Sequence, residues 1–418
     1  MSDTASLDSL DIIGPDTYAK NGYPHAAWKR LRNESPIHWF DLPEGVGFWA
    51  VTKRADIVQI SKQPEIFQNA PRLAIFEKGS PPEGERTFVR QLLNMDPPEH
   101  PKFRNAASHW FTPRAIRRRR PEVVRLAREL LAKMAPDGET HEADFVADLA
   151  APLTLSVLAD MLGVPRDDWP LMFEWTNQIV GSADPEFQKE GADQGELVSQ
   201  ARNELFQYFM ELAEKRRAKP EDDMVSVLAN AEIDGAPIPP LELLSFYLVL
   251  VVAGNETTRN AASGGLLALI ENPGELAKLR GNPGLTNSAA EEIVRWTSPV
   301  IQFCRTPNVD VELHGKTVRA GESLCLFYPS ANRDEEIFED ADAFHVDRRP
   351  NPHLGFGIGE HFCLGANLAR LELQVVFEEL AHRLEEIELA GPFERMRSSF
   401  LGGVKRMPIR FRIRPESG

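Results

Sequence analysis

Cysteine is scarce in this chain of 418 residues, which contains only Cys304, Cys325 and Cys363. Three cysteines offer no disulfide framework, and so small a number is typical of a protein that folds in a reducing compartment. Structural zinc normally has four ligands, and no second Cys or His pair lies close in sequence to His361 and Cys363. The sequence therefore predicts a cytoplasmic protein without disulfides and gives a zinc site little support.

Long hydrophobic runs are also missing. Residues 1–13 are polar and acidic, without the basic start and apolar run of a signal peptide. The longest apolar run, at residues 246–253, is too short for the roughly 20 residues that cross a membrane. We therefore expect a soluble protein with no membrane span.

Positive charge is in deficit, because 47 basic residues face 63 acidic ones and leave a net charge of −16. Such a balance argues against nucleic acid as a partner. Basic residues nevertheless concentrate at Arg114 and Arg117 to Arg120. A run of this kind is usually a solvated face of a helix.

Linkers, low-complexity tracts and repeats are absent, so we expect one large domain despite the length. Residues 1–14 are predicted to be a flexible N-terminal segment, and residues 15–418 the domain. Its periodicity predicts a mainly α fold with small β-sheets. Helices are expected at 24–32, 54–62, 122–162, 167–217, 241–271 and from 286 and 364 onward; strands are expected at 36–40, 47–51, 309–313, 316–318, 324–328 and 408–413.

The predicted helix at 241–271 carries an unfavourable sequence in its middle, Ala253-Gly254-Asn255-Glu256-Thr257-Thr258. A glycine inside a helix costs roughly 1 kcal/mol relative to alanine, and adjacent threonines are poor helix formers. Local rules are broken in this way chiefly at functional sites. We expect the helix to widen here and to admit small molecules.

A glycine-rich loop from Phe356 to Gly365 contains Cys363 and leads into a periodic apolar helix. Glycines at 357, 359 and 365 let the backbone turn sharply and approach a flat ligand closely. Backbone N–H groups at the start of a helix favour a thiolate. A lone cysteine is most often a small buried hydrophobe, so Cys363 alone does not decide between packing and metal ligation.

The loop as a whole resembles the haem-binding loop of the cytochrome P450 family, Phe-Gly-x-Gly-x-His-x-Cys-x-Gly, at every fixed position. The Ala253 to Thr258 segment resembles the oxygen-binding signature of that family. Between the two lies Glu292-Ile293-Val294-Arg295, which matches a Glu-x-x-Arg pair that is structural in the family, and its expected partner is Arg348 or Arg349. The resemblance implies the cytochrome P450 fold over residues 15–418.

The resemblance also implies a cofactor, haem b, and a set of residues around it. Cys363 would be the axial ligand of the iron. Glu256 and Thr257 would be catalytic and deliver protons to dioxygen. The implied cofactor-binding residues are His100, Arg104, Gly254, Arg305, Phe356, His361, Cys363 and Gly365, with His100, Arg104 and Arg305 on the propionates.

The expected substrate contacts are apolar, in keeping with a hydrophobic ligand. They are taken from segments that lie over the cofactor in the family. The candidates are Leu73, Ile75, Phe76, Ile179, Val252, Ala253, Val300, Ile301 and Phe400.

The implied activity is insertion of one oxygen atom from O2 into a hydrophobic small molecule, with aliphatic hydroxylation of a sterol or terpenoid as the favoured case. Electrons would come from NAD(P)H through a ferredoxin and its reductase, because the chain has no flavin or iron–sulfur motif. The arginine run would dock the ferredoxin, and the protein would be a monomer. Alternatives are alkane, fatty-acid or aromatic hydroxylation, a peroxide-driven enzyme, and a haem carrier or sensor without turnover.

Overall fold

The computed structural model describes residues 6–42, 47–75, 90–180 and 194–414. Helices form most of this part of the chain, and they follow one another with short connections. The helices are α1 (Pro15–Asn21), α2 (His25–Glu34), α3 (Arg54–Ser61), α4 (Glu99–Ser108), α5 (Pro113–Met134), α6 (Ala151–Leu162), α7 (Trp169–Val180), α8 (Gln194–Ala218), α9 (Met224–Ala229), α10 (Pro240–Glu271), α11 (Pro273–Gly281), α12 (Thr286–Thr297), α13 (Tyr328–Ala331) and α14 (Ala366–Arg383).

The strands form small sheets at the edges of the helical body. They are β1 (Ile37–Phe40), β2 (Phe48–Val51), β3 (Phe67–Gln68), β4 (Thr140–Asp144), β5 (Glu232–Ile233), β6 (Ala236–Pro237), β7 (Gln302–Pro307), β8 (Val311–Leu313), β9 (Lys316–Val318), β10 (Ser323–Phe327), β11 (Leu384–Leu389), β12 (Glu394–Arg395), β13 (Val404–Arg406) and β14 (Pro408–Ile413). The largest has the order β1-β2-β10-β7-β3, and β10 runs parallel to β2. The predicted mainly helical fold with small sheets is confirmed.

Hydrophobic side chains from Leu92 to Ile413 form one continuous core among the described residues. The N-terminal segment belongs to a second cluster beside the five-stranded sheet, where Ile12 and Ile13 are buried. The Tyr18 hydroxyl donates a hydrogen bond to the Ile12 carbonyl at 2.6 Å. Part of the segment that was predicted to be flexible, residues 1–14, therefore packs against the domain.

Helix α10 crosses the middle of the molecule, in contact with α6, α8, α12 and α14. It begins at Pro240, where a missing N–H costs nothing, and ends before Pro273. In the described chain it is the one helix long and apolar enough to cross a membrane, but 56% of its most apolar window is buried in the protein. Its composition is that of a core helix.

A buried ion cluster fixes α12 to the chain that precedes the cysteine loop. Glu292 and Arg295 are fully buried and joined by two bonds of 2.7 Å, and Arg348 approaches Glu292 at 3.0 Å. Arg295 also donates to the carbonyls of Asn332, Ala341 and Ala343. Of the two arginines that the sequence offered as partner, Arg348 therefore occupies the position.

Candidate active site

A large cavity lies between α10, α14 and the cysteine loop. Its empty space is about 1770 Å³, counting solvent at the mouth. Its lining includes side chains of α4, α10 and α14 together with the cysteine loop, so a ligand in this space would contact all of them.

The cysteine loop is held in a tight turn under this cavity. The Cys363 amide donates to the Phe356 carbonyl at 2.9 Å, and Gly357 and Gly359 have φ angles of 69° and 80°. A Cβ on Gly359 would lie 2.3 Å from the backbone oxygen of Ser61 at the end of α3. Only glycine tolerates both the positive φ angle and the close approach of the Ser61 oxygen at that position.

The Cys363 thiol is accessible from the cavity although it lies deep in the protein, whereas Cys304 and Cys325 are fully buried in the second hydrophobic cluster. Burial raises the pKa of Cys363, and the Gly365 amide and the positive charges of Arg104 and Arg370 oppose that rise. Among the three cysteines, only Cys363 faces a space that could hold a ligand.

A cluster of basic side chains lines the same cavity: His100, Arg104, Arg305 and His361. His100 contacts Glu360 through Nδ1 at 2.9 Å and stacks on His361 with 3.9 Å between ring centroids. Arg104 donates to the Phe362 carbonyl at 2.6 Å. Burial, with the neighbouring cations, lowers the pKa of His361 to about 2, so this ring is neutral.

The His361 Nε2 atom is buried without a hydrogen-bond partner in the described chain. A buried nitrogen of this kind indicates a missing partner. A planar cofactor with carboxylates would supply acceptors for it and for the guanidinium groups of Arg104 and Arg305. These donors, together with the one accessible thiol, therefore fit haem b. Across the described residues, no cluster of three His, Cys, Asp or Glu could hold a bare metal ion.

The centre of α10 forms one wall of the cavity through Val252, Ala253, Gly254 and Thr257. The Thr257 hydroxyl donates to the Ala253 carbonyl at 2.8 Å. The helix runs unbroken through this segment, so the expected widening is absent. The hydroxyl bond satisfies the helix instead, a common habit of threonine inside helices.

Glu256 lies outside the lining of the cavity, although the resemblance implies that it delivers protons together with Thr257. Adjacent helical residues are about 100° apart around the axis, since 3.6 residues make a turn. Glu256 is buried and paired with Arg259 one turn later. Burial raises the pKa of Glu256, and the charge and hydrogen bond of Arg259 oppose the rise.

The substrate contacts expected from sequence divide into two groups. Leu73, Val252, Ala253, Val300 and Phe400 line the cavity. Phe76 lies outside the described residues, and three further candidates lie elsewhere: Ile75, Ile179 and Ile301.

These three isoleucines are held by their surroundings away from the cavity. Ile75 and Ile301 are buried in the second cluster, with their amides donating to Gln302 Oε1 and to the Phe400 carbonyl. Ile179 packs against the main core. Val300, one position before Ile301, lines the cavity instead.

Several lining residues were missed by the sequence reasoning. Most are apolar side chains with no distinguishing pattern, among them Leu92, Leu93, Val249, Leu250, Phe303 and Leu401. Glu372 is the exception, because its sequence position among apolar residues could have indicated it. It is an acid on the apolar face of α14 that also presents Leu368, Ala369 and Leu373 to the cavity.

A second polar cluster supports the cysteine loop from outside the cavity. Arg370 bonds to Glu291 at 2.6 and 2.9 Å, and its guanidinium lies 4.4 Å from the centre of the Phe356 ring. His353 contacts the same Glu291 at 3.0 Å. Burial would raise the pKa of Glu291, but the bonds from His353 and Arg370 outweigh it and lower that pKa to about 2.

Comparison with known proteins agrees with this geometry. The family model for Cytochrome P450 matches residues 51–390. A methyl-branched lipid omega-hydroxylase of Mycobacterium tuberculosis is 39% identical over 96% of this chain and 94% of its own length. A steroid C26-monooxygenase of Mycolicibacterium smegmatis is 38% identical, with 91% and 88% covered. A solved cytochrome P450 of Mycobacterium marinum in complex with pseudoionone superposes with a TM-score of 0.89 at 34% identity, with 98% and 100% covered.

Proposed function

Because this chain belongs to the cytochrome P450 family and is a haem b monooxygenase, we propose that it hydroxylates an aliphatic carbon of a sterol or terpenoid. The observation that carries the proposal is the apolar wall of the cavity, formed by Leu73, Val252, Ala253, Val300 and Phe400. Such a wall binds through the burial of hydrocarbon and offers no counter-charge to an ionised ligand.

The relatives narrow the expected chemistry. One acts on methyl-branched lipid, one on carbon 26 of a steroid, and one binds pseudoionone. Carbon 26 is a methyl group at the end of the steroid side chain, and pseudoionone is an acyclic, methyl-branched terpenoid. We infer that the group presented for oxidation is a methyl-branched chain end, carried by a sterol or a terpenoid.

Each residue of the site has a proposed role. Cys363 ligates the iron, and His100, Arg104, Arg305 and His361 bind the cofactor carboxylates. Haem b, when bound, activates O2 and transfers one oxygen atom to the substrate. The remaining roles belong to side chains of α10.

Thr257 and Glu256 are proposed to manage protons. Because the Thr257 hydroxyl donates its hydrogen to the Ala253 carbonyl, its oxygen can accept a hydrogen bond from water in the cavity. Glu256, on the far side of α10, would relay protons from solvent after release from Arg259. Thr257 thus orients the water, and Glu256 replenishes its protons.

Electrons are proposed to come from NAD(P)H through a ferredoxin reductase and a ferredoxin. The docking face would be the exposed part of the arginine run, Arg114, Arg117 and Arg118 at the start of α5. Its neighbours are already engaged: Arg119 contacts Asp160 at 3.4 Å and Arg120 contacts Glu378 at 2.7 Å. Three exposed arginines suit an acidic partner.

Binding titrations monitored by the haem absorption spectrum test the substrate class. The panel pairs a steroid with a branched side chain against the same steroid without it, and a methyl-branched terpenoid against a straight-chain alkane of equal length. We expect the branched member of each pair to bind more tightly and to be hydroxylated at the chain end. A fatty acid and an aromatic compound complete the panel, and tighter binding of either would contradict the sterol or terpenoid assignment.

The electron source is tested with the same substrates. Turnover with NADH, reductase and ferredoxin is expected, and turnover with hydrogen peroxide alone would favour the peroxide-driven alternative. Substrate binding without turnover under either condition would favour a haem carrier.

A further inference from the structure

Glu291 lies at the centre of the polar cluster behind the cysteine loop, outside the lining of the cavity. Its carboxylate accepts two hydrogen bonds from Arg370, at 2.6 and 2.9 Å, and one from His353 at 3.0 Å. The three residues come from α12, from the segment before the loop and from α14, which follows the loop. The cluster therefore connects both ends of the cysteine loop to α12.

His353 links Glu291 to the start of the loop. Its Nδ1 atom accepts a hydrogen bond from the Gly355 amide at 3.1 Å. A ring nitrogen that accepts carries no hydrogen, so the hydrogen lies on Nε2 and is donated to Glu291. A Cβ on Gly355 would lie 2.5 Å from Cγ1 of Val294, so the loop passes close to the helix that carries Glu291. The start of the loop is thereby fixed against α12.

Arg370 links Glu291 to the side chain of Phe356. Its guanidinium lies 4.4 Å from the centre of the Phe356 ring, and a cation over an aromatic face is attracted electrostatically. The two-point bond to Glu291 holds the guanidinium in one orientation. The carbonyl of the same Phe356 accepts a hydrogen bond from the Cys363 amide at 2.9 Å. Phe356 therefore contacts both Arg370 and Cys363.

Glu291 and Arg370 are a charged pair at neutral pH. Burial would raise the pKa of Glu291, but the bonds from His353 and Arg370 lower that pKa to about 2. Only 28% of each side chain of the pair is exposed. Solvent screens partly buried charges less than fully exposed ones. The charge of Arg370 therefore acts on the cysteine loop with reduced screening.

We propose that Arg370 and Glu291 are positioning residues that set the reduction potential of the haem iron ligated by Cys363. Reduction adds one electron to the haem and its thiolate ligand, so a nearby positive charge favours the reduced state. Arg370 supplies such a charge next to Phe356, and Glu291 partly neutralises it. Groups outside the ligand shell are an established means of tuning a metal site. The pair thereby adjusts how readily the iron accepts an electron.

This inference rests on the proposed ligation of haem by Cys363 and not on the substrate class. It also differs from a purely mechanical role of the cluster. A mechanical support would loosen the loop whichever member of the pair was removed, and the potential would move in one direction. A pair of opposite charges predicts shifts of opposite sign.

The experiment is a reductive titration of the haem-loaded full chain without substrate, in wild type, Glu291→Gln, Arg370→Gln and the double variant. Glu291→Gln should raise the reduction potential, because the charge of Arg370 is no longer offset. Arg370→Gln should lower it, because the positive charge is lost while the carboxylate of Glu291 remains. The double variant should lie between the two single variants. Shifts of the same sign in both single variants, or no shift in either, would overturn the proposal.

Two further comparisons separate charge from structure. Arg370→Lys keeps the charge but loses the two-point bond to Glu291, so its potential should stay closer to wild type than that of Arg370→Gln. Equal potentials in these two variants would also overturn the proposal. Arg120→Gln and Glu378→Gln are the matched controls, because this pair also joins α14 at 2.7 Å with similar exposure but lies further along the helix from Cys363. Neither control should move the potential.

The reduced carbonyl spectrum of each variant reports whether the thiolate still ligates the iron. The red-shifted Soret band should remain in all of them, because Cys363 is unchanged. Loss of the band in Glu291→Gln and Arg370→Gln, with haem still bound, would show that the cluster only holds the ligand in place, and this too would overturn the proposal. A wrong ligand assignment gives a different result, since Cys363→Ala would then keep the band.

Discussion

At the scale of single residues, surroundings decide what a side chain can do. Cys304 and Cys325 are fully buried and sit opposite each other on β7 and β10. Cys363 has the same chemistry but faces the cavity from a glycine-rich turn. Only its thiol can therefore be a ligand to the cofactor.

Cys363→Ala should abolish the red-shifted Soret band of the reduced carbonyl complex, because that band depends on thiolate ligation. Activity should be lost with it. Cys304→Ala and Cys325→Ala are matched controls and should keep both. Loss of the band in either control, with retention in Cys363→Ala, would show that the ligand has been assigned to the wrong cysteine.

Thr257→Ala should still bind haem, substrate and O2 and still consume NADH, because those steps need no oriented water. Product per NADH should fall and hydrogen peroxide should rise. If the hydroxyl only satisfies the Ala253 carbonyl, the change should cost about 1 kcal/mol of stability or less and leave coupling intact. Thr258→Ala, at the neighbouring cavity position, is the control and should remain coupled.

The residue types of the site were predictable from sequence, but the directions of several side chains were not. The chemistry expected of the cysteine loop and of the His100 and Arg104 pair came from their resemblance to the motifs of the family. Ile301 follows a lining residue by one position and Glu256 precedes one, so a single step along the chain turned each away from the cavity. The sequence alone does not determine which way a side chain points around its helix or strand.

At the scale of elements, polar clusters hold helices to loops. The Glu292 carboxylate accepts hydrogen bonds from four donors: the side chains of Arg295, Arg348 and Asn351 and the backbone amide of His345. It thereby joins α12 to the chain that leads into the cysteine loop. The Glu-x-x-Arg pattern indicated this pair, but its partner could not be chosen from sequence because Arg348 and Arg349 are adjacent.

Glu292→Gln should destabilise the protein by about 3–5 kcal/mol, because it leaves two buried arginines without a counter-charge. Denaturant unfolding and haem content measure the effect. The exposed Glu211→Gln on α8 removes the same charge and should change stability little. A loss below about 1 kcal/mol in Glu292→Gln would mean that the cluster is not a structural support.

Acid should weaken the cluster around Glu291. The pKa of Glu291 is lowered from 4.5 to about 2 in the folded protein, so its ion pairs stabilise the fold above pH 4.5. That contribution is lost as the pH falls from about 4.5 toward 2. The free energy of unfolding of wild type should therefore fall toward that of Glu291→Gln as the pH is lowered across this range. If the difference between the two proteins stayed constant with pH, the pairing would be contradicted.

At the scale of the whole molecule, the proposed acidic ferredoxin would have to be attracted to one face of a protein that is itself acidic. The net charge of −16 repels such a partner in general, while Arg114, Arg117 and Arg118 form a local basic surface. Long-range attraction to that surface would raise the rate of encounter and fall with salt. The arginine run was visible in the sequence, but which of its members are exposed was not.

Reversing the charge at Arg117 and Arg118 should slow electron transfer from ferredoxin at low salt and flatten its dependence on salt. The same reversal at Lys215 and Lys219, exposed at the end of α8, is the control for net charge. It should leave the salt dependence unchanged. An unaltered rate in the Arg117 and Arg118 variant would show that the ferredoxin docks elsewhere.

The order of the five-stranded sheet bears on how the chain matures during synthesis. Strand β2 pairs with β10, so Phe48 meets Ser323, 275 positions later in the chain. At a synthesis rate of about 5–20 residues per second, that partner emerges roughly 15 to 55 seconds afterwards. Throughout this interval the β1–β2 hairpin presents an unpaired edge on the ribosome, and an open edge invites association with other chains. We therefore expect the N-terminal hairpin of the nascent protein to need protection until β10, about three quarters of the way along the chain, has been made.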